Sequence, residues 1–157
     1  DGQGTAARIV AGLLVQSQYT AALDVYHHSL GNQRTSDYHK IYMSLWLIIE
    51  ASNQGLKPDS QAIRYLKKTR GTLWHHQLAQ YALGKITQKN LRKNANTYGK
   101  LAEFHFYSAL LEPKNSKSIS PQLKQQKLKA FLDYEVFLFF EFDLARKYVE
   151  EIPVRAP

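Results

Sequence analysis

Residues 131–142 read FLDYEVFLFFEF, and the chain continues DLARKYVEEI to residue 152. Five of the seven phenylalanines fall in this block, and all seven lie between Phe104 and Phe142. Dense aromatics taken alone favour a strand. The continuation decides against one. Phe140, Leu144, Tyr148 and Ile152 recur every four residues, with Phe137 beside the same stripe, and that is helical spacing. Phe131 and Leu132 then belong to a preceding helix, with Tyr134 and Glu135 at a tight joint. The last helix is expected over about 137–152, plugging the end of a helical core. Exposure of Phe139 or Phe142 would turn that side into a docking or dimer surface.

Working outward, apolar residues recur at three- and four-residue spacing throughout, with only five prolines and eight glycines as punctuation. An all-α chain follows. Helices are expected over about 5–16 (Ile9 and Leu13 inward), 19–30, 36–53, 60–70, 73–83, 88–95, 98–111 and 122–133. Ser17 and Gln18 make a turn, and Gly31 and Gly55 stand just past helix ends. Asp59 or Ser60 is placed to cap the fourth helix. The stretch EPKNSKSISP (112–121) is the one clear loop, expected to be mobile. Helix pairs at 30–40-residue spacing bury their apolar faces only by stacking, which is solenoid logic.

A chain of 157 residues suits a single domain, and 44% apolar with 22% charged residues argues against global disorder. No window approaches the roughly 18 apolar residues of a membrane span. The chain begins DGQGTAARIV, without Met or a charged-then-apolar leader pattern, and is read as a mature or excised form. Cysteine is absent, which removes disulfides, thiolate metal sites and a cysteine nucleophile. The net charge of +8 invites an anionic partner, but no run of five like charges occurs.

The segment QYTAALDVYHHSL (18–30) resembles the second helix of a tetratricopeptide repeat (TPR), with Tyr19, Ala22, Tyr26 and Ser29 at its aromatic, small, aromatic and small positions. Further pieces resemble successive parts of bacterial TPR proteins, in order along 8–152. They are YHKIYMSLWLIIEASNQG (38–55), WHHQLAQYALGKITQKNLRKNA (74–95), AEFHFYSALL (102–111) and FFEFDLARKYVEEI (139–152). The nearest group is the exported TPR proteins and outer-membrane TPR lipoproteins of the new-lipoprotein-I type. The resemblance implies a right-handed TPR-like α-α superhelix of helix hairpins with a C-terminal capping helix. It implies a non-enzymatic adaptor or scaffold in the bacterial envelope or periplasm that binds a protein or peptide. By register with the motif, the groove residues are Tyr42, Ile49, His76, Gln80, Glu103 and Phe106. A homodimer through the C-terminal aromatic helix is the second partner expectation.

No catalytic, cofactor or metal set is expected. His27, His28, His39, His75, His76 and His105 include two adjacent pairs, but neighbours on a helix point about 100° apart and share an ion poorly. No His-x3-His or HExxH spacing occurs. Glu141 lies off the charged face formed by Asp143, Arg146, Lys147, Glu150 and Glu151. It is therefore expected to be partly buried and to need a partner, as is Glu103. Asp143–Lys147 and Arg146–Glu150 are expected ion pairs. Tyr81 and Tyr98 among Lys85, Lys89, Arg92 and Lys93 carry the alternative reading, a basic helical-repeat nucleic-acid binder.

Overall fold

The computed structural model describes residues 4–113 and 116–153. Its described residues form nine α-helices and no strand: α1 (Thr5–Val15), α2 (Tyr19–Leu30), α3 (Asp37–Asn53), α4 (Ser60–Lys68), α5 (Trp74–Ala82), α6 (Gln88–Asn94), α7 (Tyr98–Leu110), α8 (Pro121–Asp133) and α9 (Phe140–Glu151). The chain is all-α. None of these helices is long and apolar enough to cross a membrane. Contacts gather the chain into two compact units, residues 1–80 and 81–157.

Short polar side chains start most of the helices. Ser36, Asp59, Thr87, Thr97 and Ser120 each accept a hydrogen bond from the backbone N–H three residues on, satisfying a first-turn donor. Two ends close identically. Gln18 N–H donates to Leu13 O (2.8 Å) and Ser17 N–H to Leu14 O (3.0 Å); Leu56 N–H donates to Ala51 O (2.8 Å) and Gly55 N–H to Ser52 O (3.1 Å). These are Schellman closures, and they require the left-handed backbone seen at Ser17 (φ 59°) and Gly55 (φ 68°).

In the first unit α1 packs on α2 and α3, α2 on α3, and α3 on α4. The central helix is α3, buried continuously from Lys40 to Leu47 and again from Ile49 to Ala51. Tyr26 of α2 lies against it, sharing a 2.6 Å hydrogen bond with Ser44 Oγ, which in turn donates to Lys40 O. Burial holds the Tyr26 hydroxyl neutral, pushing its pKa well up. The inner face of α1 is Ala7, Val10, Ala11 and Leu14 rather than Ile9 and Leu13. The alanines let α1 approach closely, and Ile9 is turned to the rim, 45% exposed.

The second unit is built round α7, which packs on α6, α8 and α9, with α8 on α9. Its core joins Leu91, Ala102, Phe106, Ala109, Leu128, Phe131, Leu144 and Tyr148. Phe106 and Phe131 meet with ring centroids 5.3 Å apart. Glu141 is buried with a partner: Tyr107 Oη donates to its Oε1 at 2.6 Å. The ion pair on α9 is Lys147–Glu151 at 2.8 Å rather than Asp143–Lys147. No helix forms from Leu111 to Ser120, and the part of the expected loop at residues 114 and 115 lies outside the described residues.

Candidate functional site

The last helix begins at Phe140, later than the sequence spacing suggests, and its cap position, Phe139, offers no side-chain hydrogen bond. Glu135 is the reason. It leaves α8 in the left-handed conformation (φ 54°) while donating its N–H to Leu132 O, so the chain cannot run on helically. Phe137 N–H then donates to Glu135 O, and Phe139 N–H to Val136 O, each at 2.9 Å. This turn thrusts Phe137 (65% exposed) and Leu138 (97% exposed) into solvent.

The joint is braced on both sides. Phe137 stacks edge-on against Phe142 of α9 with centroids 4.9 Å apart. Phe139 lies over Gly99 of α7, where an added Cβ would come within 3.2 Å of its ring. Tyr98, itself exposed, donates its hydroxyl to Tyr134 O at 2.6 Å and stacks on the Tyr134 ring at 4.8 Å. His105 meets the other side of Tyr134 at 5.7 Å. An exposed Leu or Phe forgoes about 1.5–3 kcal/mol that burial would return. Aromatic anchors held by packing lose little entropy on binding.

The residues assigned to a groove by motif register have different surroundings. Tyr42 and Ile49 of α3 are buried, as are Glu103 and Phe106 of α7. Ile49 and Phe106 are core side chains closed to a partner, which corrects their assignment. Only His76 and Gln80 of α5 keep partial exposure. His76 fills the space left by Gly71, where any Cβ would lie 2.4 Å from its Nδ1. Near it Tyr38, half exposed, packs on His39, Tyr42 and His75. Burial lowers the pKa of His39 and of His75, the latter lowered further by the adjacent His76.

The remaining histidines do not converge. His28 lies on the surface, and His27 Nε2 comes within 3.1 Å of Asp59 Oδ2, near enough for an ion pair but out of line for a hydrogen bond. Among the described residues no group of three or more His, Asp or Glu is arranged to hold a metal ion. A groove of about 590 Å³ runs past Thr5, Ile9, Asp24, Val25, His28 and Thr35, which accounts for the outward Ile9. Sequence spacing missed the exposure of Phe137 and Leu138, although one signal was present. Neither Ser, Thr, Asp nor Asn stands between Glu135 and Phe140 to cap a helix that starts there.

The chain matches no protein-family model, no curated protein and no solved structure.

Proposed function

We propose that this chain is a non-enzymatic adaptor that captures a protein partner through the aromatic joint between α8 and α9. The observation that carries the reading is Phe137 and Leu138, two large apolar side chains exposed on a turn that α7 and α9 hold in place. The finer fold reading, a right-handed TPR-like superhelix, belongs to the same proposal. It is supported by the packing of helices on their second neighbours, α1 on α3 and α7 on α9. Action in the bacterial envelope is proposed on the sequence resemblance alone.

The test is capture from bacterial envelope extract by immobilised protein, compared with the double variant Phe137→Ser/Leu138→Ser. Both positions are exposed, so thermal melting should be unchanged. Proteins retained by the wild type and lost by the variant, identified by mass spectrometry, support the reading. Identical retention by both sinks it. Light scattering on the same pair reports self-association, and a dimer lost in the variant would make a second copy of the chain the occupant.

A further inference from the structure

Three basic side chains converge on one face of the second unit, each from a different helix. Arg92 of α6 places its guanidinium carbon 5.8 Å from the centroid of the Phe104 ring. Lys127 of α8 places Nζ at the same distance from the same ring, and donates to Ser108 Oγ at 3.0 Å. His105, next to Phe104 on α7, is half-buried, and its imidazole is held neutral by burial first, then by Lys127 and Arg92. Desolvation likewise pushes the Lys127 ammonium pKa down. Among the described residues neither Arg92 nor Lys127 pairs with a carboxylate; the nearby acid Glu112 stands 3.9 Å from Lys124. Two cations gathered round one ring, one of them partly desolvated, repel each other and are relieved by an anion between them.

We infer that Arg92, His105 and Lys127 form a binding site for a phosphoryl group carried by a peptide, an inference that rests on the protein-partner reading above. A phosphoryl group carries close to two negative charges at neutral pH, matching the two permanent cations. The planar guanidinium suits two of its oxygens, and Lys127 keeps two N–H donors free after bonding Ser108. Nucleic acid fits less well. Phe104 is only 6% exposed and offers no stacking platform for a base. The cations also form a compact cluster instead of a track along a backbone.

The measurement is an NMR titration of the full chain with inorganic phosphate at constant ionic strength, following the His105 Cε1–H resonance. A saturable shift is expected, with the His105 pKa raised at saturation because the bound anion cancels the neighbouring positive charge. Arg92 is exposed, so Arg92→Gln leaves the fold intact and should weaken phosphate binding about tenfold. Lys67→Gln, a control in the first unit, should change nothing. No saturable response, an equal response to acetate, or one insensitive to Arg92→Gln overturns the site. A short single-stranded oligonucleotide that displaces phosphate more effectively than a phosphoserine peptide of equal charge overturns the peptide source. Phe137→Ser/Leu138→Ser should leave the titration unchanged. Failure here with capture intact therefore sinks only this site, and lost capture with a normal titration sinks only the docking surface.

Discussion

Glu141 is 3% exposed, and its carboxylate accepts a 2.6 Å hydrogen bond from Tyr107, thirty-four positions earlier in the chain. The bond ties α9 to α7 inside the second unit. A hydrogen bond to a carboxylate contributes roughly 1.5–3 kcal/mol, and a partner left buried costs about as much again to keep dry. Tyr107→Phe should therefore lower stability by about 1.5–3 kcal/mol in guanidinium denaturation. Glu141→Gln keeps an acceptor at the same place and should cost less. A Tyr107→Phe loss under about 0.5 kcal/mol would show that the contact contributes nothing net. That Glu141 needed a partner was legible in the sequence, because it falls between the charged and apolar faces of its helix. The identity of the partner was not: Tyr107 carries no mark distinguishing it from the other nine tyrosines.

At the scale of the helix, the two Schellman closures share hydrogen bonds but not residues. Gly55 adopts its positive φ freely, whereas Ser17 adopts φ 59° against the clash between Cβ and backbone. Ser17→Gly should stabilise the chain by about 0.5–1 kcal/mol, read from the denaturation midpoint at unchanged m-value. Equal or lower stability would mean the serine is compensated locally. The asymmetry also explains what a single sequence reveals. Gly55, Asp59 and the four-residue stripe Leu144–Tyr148 announce themselves, since glycine, capping side chains and periodicity act through the local chain. The joint at Glu135 does not. A non-glycine residue in the left-handed region is a tertiary outcome, fixed by how α8 and α9 seat on α7. With it went the expectation that Phe137 belongs to the buried stripe. The inner face of α1 was misread for a related reason: Ala7 and Ala11 give a weak apolar signal, yet small residues are what close helix contact selects.

Across the whole molecule, basic residues outnumber acidic ones in both parts of the chain, eight to five within residues 1–80 and thirteen to eight within 81–157. The excess is spread out, so no segment presents the dense stripe that a nucleic-acid backbone neutralises. The binding of duplex DNA gains from each phosphate neutralised, and log K falls with log salt by about 0.9 per phosphate. If only a compact cluster such as Arg92 and Lys127 engages at a time, about two or three phosphates are neutralised together, and the slope stays near −2 to −3. Fluorescence anisotropy with a labelled duplex, between about 30 and 300 mM salt, reads this directly. A slope of −6 or steeper would mean that cations from many helices act as one surface, and the nucleic-acid reading would then displace the adaptor. A shallow slope leaves the charge as a solvated surface around one anion site, with apolar docking at the α8–α9 joint supplying the affinity.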